Sequence, residues 1–586
     1  MEGKWRVGSS WRAGWTAGRA VGGCCALAVV CVILLAVGSG ADADSEVVGF
    51  IGGAGGTRGG EFLEPSDVAV YRGDQADPFD DKIFVSEAAA RRSVRVQRLD
   101  AHGNFELMWG RDVMRPGARG DSGTGFEVCR RAVSGAAGCK RGVSGTGGGA
   151  LAFPTALAVS PETGNVYVVD QGNRRVQEYR RDGGFVRAWG WGVATGMPRF
   201  EICSAACRAG RIGGREGDAN AGQVAPPKAG PVRADSTIAV SPRPPHDVFV
   251  GDTGNRRVQQ FTATGRSVRA WGWGVATGGR AFEVCTAGDG CRRGRRHGPP
   301  FGLQTSGWPR HVAVDGDGVV YSAELRDSDR VVRFMSTPQP RGRVVADALL
   351  APLGAGPALS DGETTGVEVD AESGALVVVR NPFGPSVVNV VSNPGAGLRA
   401  RDRAAPRTDI AELGYVESVH GLGIGANGIA YVPISRRLDP RDPDGILGSC
   451  PTPDGSRPCH GLAVFGPRRS PVATVTQAAV IPTRRRATVQ ADVVPGGISR
   501  YRLQASVDGR RWRAISPSRY ATGITPTPLR LSTGSLRRGT AYRIRVQVAT
   551  HDSDRYRWTA ASNAWTLVTP ASRTGALAGV VLELGR

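Results

Sequence analysis

The chain has 586 residues, about four times the usual single-domain length, so one small domain is excluded and several folding units or a large repeat array are expected. Hydrophobic residues at 40% and charged residues at 22% are ordinary, but 85 Gly and 37 Pro exceed a fifth of the chain, which excludes a helical bundle and favours short strands joined by turns. The formal charge of +21 comes from 74 Lys and Arg against 53 Asp and Glu, and no catalytic centre stands out in the residue pattern.

Residues 1–40 read as a leader. Lys4, Arg6, Arg12 and Arg19 are opposed only by Glu2, and the 18 residues from Val21 to Gly38 form an apolar run that ends in small residues. This layout predicts a secretory signal peptide, with an uncleaved N-terminal membrane anchor as the alternative. Cys24 and Cys25 precede the apolar core, the wrong place for a lipidated cleavage site. Either reading exports the remainder, to a secreted or cell-surface location outside the cytoplasm.

Internal repetition dominates residues 41–467. VYVVDQGNRRVQEYRRDGGFVRAWGWGVATG from Val166 returns as VFVGDTGNRRVQQFTATGRSVRAWGWGVATG from Val248, displaced by 82 residues. Each copy leads into a cysteine-bearing insertion, FEIC at Phe200 and FEVC at Phe282, and FEVC at Phe126 marks a more divergent copy upstream. Period-2 runs of β-branched and aromatic residues, broken by Gly-Asn turns, predict four antiparallel strands per unit plus an excursion. One such sheet cannot bury both faces, and stacking sheets face to face around an axis solves that problem.

The run Pro-x-x-x-Ala-Val followed by Val-x-Val-x-Asp-x-Gly-Asn-Arg-Arg-Val-Gln resembles the NHL repeat family of β-propellers. Pro154, Asp170, Asn173, Arg174 and Val176 match one unit, and Asp252, Asn255, Arg256 and Val258 the next. Upstream, Ser66, Ile83 and Val94 begin a unit in which Glu87 replaces the aspartate. Downstream, Arg310–Met335 carries Glu324 in its place, and 366–392 and 422–465 keep only the strand pattern. The fold class expected is therefore all-β, a six-bladed β-propeller followed by a β-sandwich. The sixth unit stops after Gly461–Phe465 and lacks a fourth strand, whereas Val47–Ile51 has no unit of its own, so these segments are expected to pair and close the ring.

Eight cysteines follow the leader in four tight pairs: Cys129 with Cys139, Cys203 with Cys207, Cys285 with Cys291, and Cys450 with Cys459. No pair has CxxC spacing and no histidine recurs beside them, so local disulfides in an oxidising compartment are expected rather than zinc. The repeated Glu87, Asp170, Asn173, Arg174, Asp252, Asn255, Arg256 and Glu324 could form a polar ring open to a ligand, but turn chemistry and Asp–Arg links between turns favour a structural role. Trp189, Trp191, Trp271 and Trp273 could line a sugar groove; packing between blades is the expectation. Resemblance to six-bladed lyases and lactone hydrolases implies a metal in the channel, yet the seven histidines share no repeat position; His311 and His420, at the beginnings of innermost strands, are the best placed ligands.

Beyond the repeats the chemistry changes. From Arg468 to Arg586 there are 20 arginines and no lysine against five acidic residues, hence +15, while the propeller carries about +3. ATVQADV from Ala487, YRLQASVDG from Tyr501, and Leu536, Gly539 and Tyr542 in the following turn and strand resemble a fibronectin type III domain over residues 471–570, with 571–586 as a tail. Alternation points Tyr501, Leu503, Ala505, Tyr542, Ile544 and Val546 inward. Arg500, Arg502, Arg543 and Arg545 then face out in a patch extended by Arg555 and Arg557. This patch is either a solvated surface or an attachment site for polyanions. The whole reads as a monomeric, exported binding or scaffold protein without a cofactor. Its propeller is expected to recognise a protein or carbohydrate, its basic module to contact anionic envelope polymers, and nucleic acid is not expected as a physiological partner. The alternative is a metal-dependent propeller lyase or lactone hydrolase.

Overall fold

The structure, a computed structural model, describes residues 45–568 apart from 73–80, 212–235, 296–308, 325–330, 337–343, 351–362, 392–406, 411–417, 437–458, 551–556 and several shorter stretches. The described chain is all-β. Strand β1 (Ser45–Ala54) is followed by a first sheet of β2 (Pro65–Tyr71), β3 (Lys82–Ala89), β4 (Ser93–Asp100), β5 (Phe105–Arg111) and β6 (Phe126–Arg130). The second holds β7 (Pro154–Val159), β8 (Val166–Asp170), β9 (Arg175–Tyr179), β10 (Phe185–Trp191) and β11 (Phe200–Cys203). The third repeats it as β12 (Thr237–Val240), β13 (Val248–Asp252), β14 (Arg257–Phe261), β15 (Ser267–Trp273) and β16 (Phe282–Thr286). Four strands make the fourth, β17 (Pro309–Val314), β18 (Val320–Glu324), β19 (Val331–Ser336) and β20 (Val344–Leu350), and four the fifth, β21 (Glu363–Val369), β22 (Leu376–Asn381), β23 (Val387–Val391) and β24 (Arg407–Ile410). In the sixth, β25 (Ser418–Val419) and β26 (Gly423–Ile424) both pair with β27 (Ala430–Arg436), which pairs with β28 (Cys459–Pro467).

First strands of successive sheets lie side by side in cyclic order, β2, β7, β12, β17, β21 and β26, and the last meets the first. The sheets therefore close into a β-propeller. Closure is backed by main-chain pairing, because β1 adds antiparallel to β28 with Val47 opposite Phe465 and Ile51 opposite Leu462, as the strand count required. The core lies between sheets rather than within them. Inner strands are buried on both faces, as in β8 and β9, where all five residues are buried. One tryptophan from each of three fourth strands fills a junction: Trp109 packs on Leu157, Val168 and Tyr179, Trp189 on Ile238, Val250 and Phe261, and Trp271 on Val312, Val332 and Phe334. Each of these tryptophans makes an edge-to-face ring contact, Trp109 with Phe84, Trp189 with Tyr167, and Trp271 with Phe249 and Phe334, as the aromatic quadrupole favours. Val68, Ile83 and Leu99 meet Tyr431, Leu462 and Val464 where the ring closes.

One expectation is corrected. The FEVC and FEIC segments do not open an excursion; they form a fifth strand on the outer edge of the first three sheets, with Trp189 opposite Ile202 and Trp271 opposite Val284. The alternation simply continues past the turn, and pairing satisfies amides that the fourth strand would otherwise leave on an open edge. Disulfides Cys129–Cys139, Cys203–Cys207 and Cys285–Cys291 then pin the returning chain, consistent with an oxidising environment. Cys450 lies outside the described residues.

After the propeller come two further antiparallel sheets. The first contains β29 (Val472–Ile481), β30 (Arg486–Val494) and, farther along, β34 (Thr527–Ser532). The second is built on β31 (Ser499–Ser506), with β32 (Arg513–Ala514), β33 (Arg519–Ala521), β35 (Ala541–Thr550), β36 (Arg557–Ala560) and β37 (Trp565–Val568). Tyr501, Leu503, Ala505, Tyr542, Ile544 and Val546 are buried, as alternation predicts. The Tyr542 hydroxyl accepts from the Arg537 amide at 3.0 Å, tying down the turn that leads into β35.

Candidate functional site

Three places concentrate polar chemistry: the channel, the repeated turns with their insertions, and the outward face of the last sheet. The channel holds a cavity of about 90 Å³ walled by the first strands and entered by Asp67, His311 and Glu368. The Asp67 carboxylate accepts from the Val68 amide and, across the first junction, from the Leu157 amide, each at 2.9 Å. His311, from the opposite side of the ring, brings Nε2 to 3.9 Å from Asp67 Oδ1 and sets Nδ1 2.8 Å from the Val367 carbonyl. Gly421, at φ +70°, presses on the same carboxylate, and a Cβ there would stand 1.7 Å from Asp67 Oδ1, so only glycine fits.

Burial opposes charge on His311, but the neighbouring Asp67 carboxylate and, more weakly, Glu368 outweigh it and hold the imidazole above its ordinary value. Burial pushes Glu368 up to about 7, although His311 and the Val369 amide pull the other way. Two carboxyls and an imidazole thus face one small polar cavity with room for a few waters. Among the described residues no group of three His, Cys, Asp or Glu side chains is arranged to hold a metal ion, and His420 lies outside them.

The repeated turns are hubs rather than open sites. Asp170 Oδ2 receives Asn173 Nδ2 at 2.7 Å, Arg175 Nε at 3.0 Å and Gln177 Nε2 at 3.0 Å, while Oδ1 receives the Ala152 amide at 2.7 Å. Arg175 spends its remaining donors on the carbonyls of Thr146, Gly147, Ala150 and Arg208. The linker, turn and insertion are thereby clamped by one buried ion pair. Glu87 with Arg95 and Gln97, and Asp252 with Arg257, Gln259 and Asn255, repeat the arrangement. The partner of the aspartate is thus the second arginine of the Arg-Arg pair, not the first. Arg174 and Arg256 take left-handed backbone at φ 54° and 55°, closing the turn. Period 2 already carried this distinction, since Arg175 and Gln177 share a face and Arg174 precedes the strand. Glu324 ends β18, its backbone opposite Pro309.

In the insertions, Glu201 accepts from the Ala194 and Thr195 amides at 2.8 Å, and from the Thr195 hydroxyl; Glu283 does the same with Ala276 and Thr277. Desolvation would raise Glu201, but these donors hold it at about 2, so it stays ionised.

On the last sheet, register turns the expected arginine patch into a checkerboard. Arg502 stands opposite Gln547 and Arg545 opposite Gln504, with Nε donating to the amide oxygens at 2.8 and 3.1 Å. The Arg545 guanidinium also lies 4.1 Å from the Trp512 ring centroid. Arg510, Arg511, Arg513 and Arg543 are exposed, and none of them pairs with a carboxylate among the described residues. Arg500 lies in β31 with its backbone opposite Ala549, and Arg557 in β36 opposite Thr550; Arg555 lies outside the described residues. Sequence reasoning missed Asp67, Glu368, Arg175 and Arg257. It had no signal for the first two, which belong to different sheets and meet only through the ring.

No protein family profile matches the chain, and no curated protein sequence matches it. Among solved structures, hydrazine synthase of Kuenenia stuttgartiensis overlaps with 11% identity over 73% of this chain and 95% of that one, TM-score 0.31. The Cps50 (Swd1) β-propeller domain of Myceliophteria thermophila overlaps with 8% identity over 63% and 94%, TM-score 0.31. An auxiliary nutrient binding protein from Bacteroides thetaiotaomicron gives 8% over 72% and 98%, TM-score 0.25. The fold rests on the cyclic order of the sheets and not on these overlaps.

Proposed function

We propose that this is an exported, non-enzymatic binding or scaffold protein. On this reading the six sheets are NHL-type blades, and the last two sheets form a fibronectin type III-like sandwich. Residues 1–40 direct export, which the three disulfides favour. The propeller is a rigid frame whose turns are saturated internally, leaving recognition of a protein or carbohydrate to its surface. The basic module attaches the protein to anionic envelope polymers. What supports this attachment is the outward face of β31 and β35, where Arg543 is exposed and the neighbouring Arg545 guanidinium is oriented by Gln504 and the Trp512 ring. Guanidinium forks present phosphate or carboxylate with two parallel donors.

The test is retention of the protein on an acidic polysaccharide matrix against a neutral one across a salt series. Retention should fall steeply between about 50 and 200 mM salt. Arg543→Gln with Arg545→Gln should elute at clearly lower salt; equal retention of parent and variant would refute the attachment reading. The second reading is a metal-dependent lyase or lactone hydrolase; Asp67, His311 and Glu368 line the channel cavity but are not arranged there as a set of three metal ligands. Stoichiometric calcium or zinc, lost together with these side chains, would favour it.

A further inference from the structure

The propeller's small net charge conceals a local one. In the second and third sheets the chain returning from each disulfide carries arginines at matching places, Arg208 and Arg211 after Cys207, and Arg292 and Arg295 after Cys291. The backbone follows one path in both. Arg208 N donates to Val193 O as Arg292 N does to Val275 O, and Arg211 N donates to Trp191 O as Arg295 N does to Trp273 O. The side chains converge on the loop that leaves the fourth strand. Arg211 Nη1 donates to the Gly196 carbonyl at 2.7 Å, and a Cβ on Gly196 would stand 3.1 Å from Arg208 Nη1. In the third sheet, Cβ atoms on Gly278 and Gly274 would both stand 3.3 Å from Arg292 and Arg295. Arg174 joins the first group, its Nη1 3.3 Å from the Gly210 carbonyl.

Like charges gathered in this way repel unless an anion lies among them. Among the described residues the acids of these loops, Glu201 and Glu283, are already engaged by backbone amides and threonine hydroxyls, and Glu201 also by Arg199 Nε. Arg208, Arg292 and Arg295 are exposed and have no ion pair among the described residues. The opposite ends of the same sheets differ: there Arg187 meets Glu178, Arg180 meets Asp182 and Arg243 meets Asp317. Arg181 and Arg266 at those ends are exposed too, without an ion pair among the described residues, but it is on the insertion rim that arginines gather at matching places in two copies, one sheet apart.

We infer that this rim is a two-cluster anion site for a linear polymer bearing closely spaced phosphate groups, separate from the arginine face of the C-terminal module. A single phosphate engages one cluster at a time, whereas a chain reaches both, so affinity rises with chain length beyond the number of phosphates added. The inference goes beyond attachment through the C-terminal module and does not depend on it.

The experiment measures binding of the full exported chain to pyrophosphate and to long inorganic polyphosphate across a salt series. Four proteins are compared: the parent, a rim variant (Arg208→Gln, Arg292→Gln, Arg295→Gln), the C-terminal variant (Arg543→Gln, Arg545→Gln) and the two sets of changes combined. The three rim positions are exposed, so an unchanged melting temperature certifies the fold. Expected for the rim variant is a loss of about tenfold or more in affinity for long polyphosphate, with the slope of log K against log salt smaller by about 2. The same rim-dependent loss should persist when the C-terminal changes are also present. A rim variant that binds long polyphosphate with parental affinity and slope overturns the inference and leaves C-terminal attachment standing. Loss in the rim variant alone, with none in the C-terminal variant, upholds the rim and removes polyphosphate attachment from the module. Equal affinity per phosphate for short and long chains overturns the two-cluster arrangement.

Discussion

Adjacent arginines in the Gly-Asn-Arg-Arg turn do opposite work, which gives a sharp residue-level prediction. Arg175→Met strands the Asp170 carboxylate and the carbonyls of the linker at a fully buried position, and should cost about 3–5 kcal/mol in a denaturant melt. Arg174→Gly, one position earlier, removes a left-handed arginine and should shift stability by less than about 1 kcal/mol. Equal effects at the two positions would show that the clamp is misassigned. In the channel, Glu368 is raised from the ordinary carboxyl value, so between about 4.5 and 7 the folded protein holds a proton that the unfolded chain has lost. Stability should therefore fall as pH rises through that window. His311, also raised, adds to the fall as pH climbs past its folded value. Glu368→Gln should flatten the profile and gain on the order of 1–3 kcal/mol at pH 8 relative to pH 5; melts at the two pH values decide it. The sequence showed the Asp-Gly-Asn-Arg turn clearly, because local spacing encodes it. It hid the channel group, because Asp67, His311 and Glu368 are brought together only by ring geometry.

At the level of the element, each disulfide spans a short loop: the paired cysteines stand 10, 4 and 6 positions apart in the chain. Short loops remove little entropy from the unfolded chain, about 2–3 kcal/mol each, so the bridges hold insertions in place rather than hold the propeller together. Cys203→Ser with Cys207→Ser should speed amide exchange in β11 and 208–211 while leaving β8 and β9 protected. Global exchange in all four segments would contradict this. The fifth strands illustrate a limit of pattern reading. Phe-Glu-Ile-Cys has the alternation of a strand, but whether it pairs or wanders depends on the turn before it, where Glu201 gathers the Ala194 and Thr195 amides and folds the chain back. The arginine face shows the same limit. Alternation buries Tyr501, Leu503, Tyr542 and Ile544 and leaves Arg543 exposed, but only register, which single-strand patterns do not contain, sets Arg502 and Arg545 against glutamines.

For the molecule as a whole, everything depends on β1. Removing residues 45–54 leaves the outer edge of β28 unpaired and opens the ring where Ile51 packs near Leu462. The truncated protein should lose a single cooperative melt and unfold at a markedly lower temperature. An unchanged, single transition would mean that the sheets hold one another without it. Because Val47 and Phe465 lie roughly 400 residues apart, bringing them together costs on the order of 5 kcal/mol in chain entropy before any contact repays it. The last stitch of this ring therefore cannot be tied until the far end of the repeat array has emerged. Until then a growing chain carries β1 as one raw selvedge, which the β28 of a second, finished copy could equally well hem.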